Sequence, residues 1–287
     1  MKNKKVLITG GAGFIGSHLC ERLLKEDCKI VVIDNYFTGT IDNHIDGVEY
    51  ITGNTSDIKK MGLETPDIVY HLGEYSRVEQ SFEDTDLVHK YNTQGTYEIL
   101  EFVKDRGCKL VYAGSSTKFS DNGPDASPYA FTKSQNTQLV MNYGEWYNIN
   151  YAITYFYNVY GPREIKDGRY ATLIALFKEK VKKGENLQVV LPGTQKRNFT
   201  HVDDIVDGLV IVGDKGSGDG YGIGHDESYS VMDVAMMFSN YGKVGIDELP
   251  ERRGNRMSGN LITEPIKLLG WYPKKNLKEY IKNGRRK

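Results

Sequence analysis

An α/β fold, with a doubly wound parallel sheet and a smaller mixed α/β lobe after it, is the architecture this sequence predicts. Three observations carry the prediction. Short apolar runs rich in β-branched residues alternate with segments of helical periodicity through the first 162 residues. Such runs belong to parallel strands covered on both faces, and the alternation belongs to crossover connections. A glycine-rich turn, TGGAGFIG, separates the first run from the first helical segment. Finally, Asp34 closes the second run, where dinucleotide-binding folds carry an acidic residue about 20 residues beyond their glycines.

Taken in order, KVLIT (5–9), KIVVID (29–34), VEYIT (48–52), DIVYHL (67–72), KLVYAG (109–114) and YAITYF (151–156) read as strands. HLCERLLKE and TYEILEFVKDRG between them have helical spacing. A further helix opens at SPYAFTK: Ser127 suits an N-cap, and Pro128 suits the first helical position, where a missing N–H costs nothing. Tyr129 and Lys133, four residues apart, then share one helix face. The chain has 20 tyrosines, so this spacing by itself also fits an ordinary surface helix.

Beyond Gly161-Pro162 the pattern loosens. Helical segments (173–183 and 231–241) mix with short strand candidates (187–191 and 221–223) and many glycines. Residues 1–162 are read as a cofactor-binding domain and 163–287 mainly as a substrate lobe, with a soft boundary that the chain crosses more than once.

Composition narrows the function. Hydrophobic residues at 39% and charged residues at 26% describe a soluble globular protein. A net charge of −1 with no basic face speaks against nucleic acid, and the basic end (274–287) reads as a solvated tail. No apolar run approaches the roughly 20 residues a membrane span needs, and MKNKKVLITGG enters a strand without a signal-peptide core. Cys20, Cys28 and Cys108 lack metal-ligand spacing and fit reduced thiols, so a cytoplasmic location and no metal are expected.

Gly10, Gly13 and Gly16 have the spacing that lets a backbone turn approach a pyrophosphate on a helix N-terminus, with Phe14 and Ile15 inside the turn. A carboxylate at Asp34, with Asn35 beside it, accepts ribose hydroxyls and repels a 2′-phosphate. No arginine follows in DNYFTG to receive one. The expected cofactor is NAD rather than NADP.

With those pieces in place, TGGAGFIGSHL, DNYFTG, HLGEYSRVEQS, YNTQGT, VYAGSSTKF, YAFTK, FYNVYGPRE and RNFTHVDD occur in an order that resembles the extended short-chain dehydrogenases/reductases. More narrowly, the chain resembles the NAD-dependent sugar-nucleotide epimerase/dehydratase branch, which includes the UDP-glucose 4-epimerases. The resemblance runs from about Lys4 to about Trp271. It implies a Rossmann-type domain in which Tyr129 is the acid/base and Lys133 supplies charge and a ribose contact. Ser115 at a strand end orients the substrate hydroxyl, with Ser116 as the alternative. Both serines are also implied to face substrate.

The resemblance implies further roles. Leu72, Gly73 and Glu74 fall on the segment beside the cofactor, although Glu74 departs from the family's small residue and is read as pointing away or as a cofactor neighbour. Asn92 falls on a helix asparagine of the cofactor set, or on a structural cap. Asn158, Arg197 and Arg252 fall on residues that hold the nucleotide diphosphate. Ser116 and Thr117 stand where 4,6-dehydratases carry an Asp–Glu pair, which disfavours dehydration.

The implied substrate is a UDP- or GDP-linked sugar. The implied activity is a 4-epimerase, with a 4-dehydrogenase releasing a 4-keto sugar as the alternative and a non-catalytic NAD-binding sensor or scaffold as an alternative of another kind. The family also implies a homodimer through two helices, about 86–106 and 128–148. On the second, Leu139, Val140, Tyr143 and Trp146 form an apolar stripe that equally suits packing on its own sheet.

Overall fold

The computed structural model describes residues 1–120, 123, 125–251, 257 and 259–284. Seven strands form one sheet: Lys5–Thr9 (β1), Lys29–Asp34 (β2), Glu49–Thr52 (β3), Ile68–His71 (β4), Lys109–Ser115 (β5), Tyr151–Phe156 (β6) and Gly218–Ile223 (β7). Their order is β7-β6-β5-β4-β1-β2-β3, and every neighbouring pair is parallel.

The continuously apolar strands serve two cores. Val6 and Ile8 of β1 face the helices Phe14–Leu24 and Val202–Lys215, meeting Leu19, Leu23, Ile205 and Leu209. Leu7, between them, faces the helices Gly95–Arg106 and Pro128–Tyr147, meeting Ile99, Val103 and Val140. This alternation is the period-2 geometry of a strand buried on both sides.

The chain leaves β1 toward β2 on one side, and β4 lies on the other. That reversal opens a crevice at the carboxyl ends of the strands, where ligands settle in open α/β sheets. Beside it, the helical run before β5 contains a π-helical stretch, His89–Gln94, a feature frequent at functional sites.

The later half is divided. Leu187–Val190 pairs with Ile246–Leu249 and Lys196–Asn198 with Ser228–Ser230, around a third core holding Phe177, Val189 and Phe238. The strand candidate at 221–223, however, extends to Gly218–Ile223 and edges the main sheet beside β6. Its glycines dilute the apolar signal that would have placed it there. The helix Val202–Lys215, not singled out from the sequence, covers one face of that sheet.

The stripe on Pro128–Tyr147 splits. Val140 and Tyr143 belong to the chain's own core and Leu139 packs partly against it, while Trp146 is 60% exposed. Among the described residues, no helix is long and apolar enough to cross a membrane.

Candidate active site

A cavity of about 660 Å³ lies at the carboxyl ends of the strands, within the usual range for a small-molecule or cofactor site. The glycine turn forms one wall. Gly10 has φ +74°, and a Cβ there would stand 2.8 Å from Gly73 Cα. At Gly16 a Cβ would stand 2.2 Å from the Gly10 carbonyl oxygen. Gly13 caps the first helix without a side chain, so its first amides remain for an anion. Phe14, Ile15, Leu72 and Gly73 line the same wall.

Asp34 lines the cavity, and its carboxylate accepts from Ala12 N (2.9 Å) and Tyr36 N (2.8 Å). Burial pushes its pKa up and these two amides work against that. Asn35 also lines the cavity, but its amide donates to Asn54 and its oxygen accepts from Phe37 N.

The opposite wall carries the candidate chemistry. Ser127 accepts from Ala130 N at 3.1 Å and Pro128 opens the helix, so the cap sets where Tyr129 emerges. Ser115 ends β5, and the Tyr129 hydroxyl donates to Ser115 Oγ at 3.1 Å. Thr117 N and Oγ1 also donate to Ser115 Oγ. Ser116 is buried and lines the cavity, but Ser115 is the serine that Tyr129 meets.

Lys133, one turn along, ion-pairs with Glu74 and donates to the Ala113 carbonyl. Its side chain is 6% exposed and that of Glu74 is 3% exposed. Glu74 therefore does not point away, as one sequence reading had it. Its second oxygen accepts from Thr96 (2.9 Å), Asn136 (2.9 Å) and Tyr112 (3.1 Å). Burial works to raise the Glu74 pKa, but the Lys133 charge and these hydrogen bonds outweigh it and leave the carboxyl below its ordinary value.

Behind Glu74 the hydrogen bonds have a defined direction. Thr96 spends its proton on Glu74, so the proton in the 3.0 Å contact between Thr96 and His71 Nε2 belongs to the histidine. His71 Nδ1 is then the acceptor for the Thr9 hydroxyl at 2.7 Å, and Thr9 in turn accepts from Gly73 N at 2.9 Å. Burial lowers the His71 pKa to about 4, which keeps the ring neutral.

Asn92, read as a cofactor residue or as a structural cap, has the contacts of a cap. It is fully buried, and its amide is used by the Tyr75 backbone and the Thr132 hydroxyl. It fixes the segment after β4 rather than reaching the cavity. Asn158 lines the cavity and donates to the Asn198 carbonyl. Arg197 also lines it, donating to the carbonyls of Lys196 and Met257. Arg252 lies outside the described residues.

Arg77 and Glu164 are among the cavity residues that the sequence reading did not single out. Arg77 donates to the Tyr170 carbonyl at 2.7 and 2.9 Å, and burial lowers its pKa while the neighbouring Tyr129 works to raise it. Glu164 accepts from Gly161 N (2.8 Å) and Thr172 Oγ1 (2.6 Å), and burial pushes its pKa up to about 7. Both stand inside quoted motifs, HLGEYSRVEQS and FYNVYGPRE, but only the fold shows that they face one cavity.

A glycine cradle on a helix N-terminus, a carboxylate at the end of β2 and a Ser–Tyr–Lys set at the end of β5 define a dinucleotide-dependent enzyme of the short-chain dehydrogenase/reductase type. The cradle that a Cβ would fill and the Asp34 carboxylate both fit NAD. The NAD dependent epimerase/dehydratase family model matches residues 6–224, and the chain belongs to that family.

Among curated relatives, it is 31% identical to a UDP-N-acetyl-alpha-D-glucosaminuronate decarboxylase of Bacillus cytotoxicus, over 81% of this chain and 78% of the relative. It is 29% identical to a putative UDP-glucose 4-epimerase of Methanocaldococcus jannaschii, over 96% of each chain. Among solved structures, the UDP-glucose 4-epimerase of Thermus thermophilus in complex with NAD aligns with a TM-score of 0.89, 27% identity and 96% of each chain covered. The protein is an NAD-dependent enzyme of this family, whose members include both epimerases and decarboxylases.

Proposed function

We propose that this enzyme is a nucleotide-sugar 4-epimerase. The observation that supports the reading best is the Tyr129 hydroxyl at 3.1 Å from Ser115 Oγ, one helical turn from Lys133, in the cavity that the glycine turn lines. NAD held by Gly10, Gly13, Gly16 and Asp34 would supply the hydride acceptor and donor. Tyr129 takes the proton of the sugar C4 hydroxyl, and Ser115 orients that hydroxyl. A tyrosine has an ordinary pKa of about 10, so its phenolate needs nearby positive charge, which Arg77 brings and Lys133 brings in the part that its Glu74 partner leaves. Tyr129 then returns its proton to the C4 oxygen of the 4-keto sugar, and inversion follows where hydride from the bound cofactor would come back to the other face of C4. Asn158 and Arg197 hold the diphosphate, the guanidinium being suited to bidentate contact.

Two features favour this outcome over related ones. Ser116 and Thr117 supply no carboxylate for eliminating water, and the Thr117 hydroxyl is engaged by Ser115. The segment after Gly161 contributes Glu164, Ile165, Ala171 and Thr172 to the cavity wall. It is tied to the segment after β4 through Arg77 to the Tyr170 carbonyl and Gln80 to the Arg169 carbonyl. A tied wall suits a cofactor and a ketone retained through the cycle.

The test supplies UDP- and GDP-sugars while following NADH absorbance and sugar products. Interconversion of C4 epimers without net NADH is expected. Accumulating NADH with a free 4-keto sugar assigns a dehydrogenase, and loss of CO₂ from a uronic acid assigns a decarboxylase. We also propose a homodimer through the helices Gly95–Arg106 and Pro128–Tyr147, supported by Tyr97, Phe131 and Trp146 exposed on them. Light scattering that gives the mass of one chain contradicts it.

A further inference from the structure

We propose that Glu74 is a positioning residue for the Tyr129–Lys133 pair: its carboxylate fixes the Lys133 ammonium against the Ala113 carbonyl and offsets its charge, so that Tyr129 reaches its phenolate form at higher pH than beside an uncompensated lysine. The inference rests on the reading of Tyr129 as the proton-transferring group, and its test can fail independently of that reading.

The geometry that carries it is a closed one. Lys133 Nζ meets the Glu74 carboxylate and the Ala113 carbonyl, with both ionised side chains almost wholly buried. The other Glu74 oxygen is held by three donors on three elements: Thr96 on the helix Gly95–Arg106, Tyr112 on β5 and Asn136 on the helix of Tyr129 itself. Through Thr96, His71 and Thr9 the network continues to Gly73 N beside the glycine turn. A carboxylate held by so many fixed donors stays ionised and stays in place. Glu74 and Lys133 together present a nearly neutral unit, whereas a lone ammonium one turn from Tyr129 presents a full positive charge.

Other titratable groups surround the pair. From β4, His71 is neutral, and from β5, Tyr112 has its pKa pushed well above the ordinary value by burial. From the segment after β4, Arg77 brings a cation near Tyr129, with Tyr75 and Tyr170 beside it. From the turn after β6, Glu164 titrates near 7 and also acts on Arg77. All of these remain in a Glu74 variant, but Tyr112 and His71 also feel the Glu74 charge, so each protein is read against its own Tyr129→Phe partner to isolate Tyr129.

The experiment compares wild type with Glu74→Gln, which preserves shape and one acceptor oxygen but removes the charge. Two quantities are read across pH. One is the acid limb of kcat/KM for the epimerised sugar. The other is the ultraviolet difference titration of tyrosinate, taken as each protein minus its own Tyr129→Phe partner, which needs no turnover. Both midpoints are expected to fall by about one pH unit in Glu74→Gln. Glu74→Asp, which keeps the charge, is expected to stay within a few tenths of a unit of wild type. Midpoints that do not move, or that rise, overturn the proposal and leave Glu74 a packing residue. If Glu74→Gln does not fold, Glu74→Ser, which leaves room for water beside Lys133, is read in the same way. If Tyr129→Phe keeps full turnover, the proton-transfer reading fails, while the tyrosinate titration still decides what Glu74 does to Tyr129.

Discussion

The two walls of the cavity are built on different principles. The wall at β1 and β2 is made of backbone: three glycines, an uncapped helix N-terminus and one carboxylate that already accepts two amides. The wall at β4 and β5 is made of side chains drawn from far apart in the chain: Thr9, His71, Glu74, Thr96, Tyr112, Lys133 and Asn136 in one buried network. A backbone wall binds, because its shape and partial charges are set by local geometry. A side-chain wall does chemistry, because its charges and protons can be arranged against one another.

This contrast gives distinct expectations for changes on each wall. The largest effect is expected for Lys133→Met. Removing one partner of a buried ion pair costs about 3–5 kcal/mol, and activity should be lost with it. The double variant Lys133→Met with Glu74→Gln should recover most of that stability, since replacing both partners is far cheaper. Urea unfolding of the two variants checks it, and equal stabilities would show that the pair is not coupled.

Tyr129→Phe follows. The cap at Ser127 and the packing persist, so folding and NAD content should match wild type while turnover falls at least about a hundredfold. Retention of more than about a tenth of wild-type turnover would remove Tyr129 from the mechanism.

On the backbone wall, Asp34→Ser should lower NAD affinity by about tenfold, the scale of one charge-assisted hydrogen bond, and narrow the preference over NADP. Tyr129 should be unaffected. Cofactor titration by fluorescence measures both affinities. An unchanged NAD/NADP ratio would mean that Asp34 serves only Ala12 and Tyr36.

The remaining effect, on stability alone, concerns Glu164, whose folded pKa of about 7 lies above its ordinary value because of burial. The folded state therefore holds a proton that the unfolded state has released between about pH 4.5 and 7. The stability associated with that proton is fully present below the lower value and lost as pH rises through 7. Glu164→Gln should thus gain on wild type by about 2.5 kcal/mol between pH 5 and pH 8, since the cost of its lost acceptor is common to both pH values and cancels. Thermal melts at the two pH values give the difference, and a gap that does not widen with pH contradicts it.

The same contrast explains what the sequence could disclose. The six apolar runs from 5 to 156 correspond to strands, and the glycine turn and Asp34 were legible because each acts through its neighbours in the chain. Ser127, Pro128, Tyr129 and Lys133 were legible for the same reason, as a cap and one helical turn. The strand Gly218–Ile223 reads as part of the lobe because its three glycines and its distance in the chain from the other strands hide the pairing with β6. Glu74 was legible as a departure but not as a partner, because it lies 59 residues from Lys133 and no local pattern joins them. Asn92 was legible only as a cofactor residue or a structural cap, because its partners Tyr75 and Thr132 lie far from it in the chain.

The central claim is that hydride leaves C4 of a nucleotide sugar and returns to the same carbon on its other face, while Tyr129 handles the proton. Incubating the purified enzyme with a UDP-sugar deuterated at C4, and following the product by proton NMR, tests this directly. The account expects the C4 epimer with deuterium still at C4 and no net NADH. An epimer whose C4 deuterium has been replaced by solvent hydrogen, or a product altered at another carbon with C4 unchanged in configuration, would contradict it.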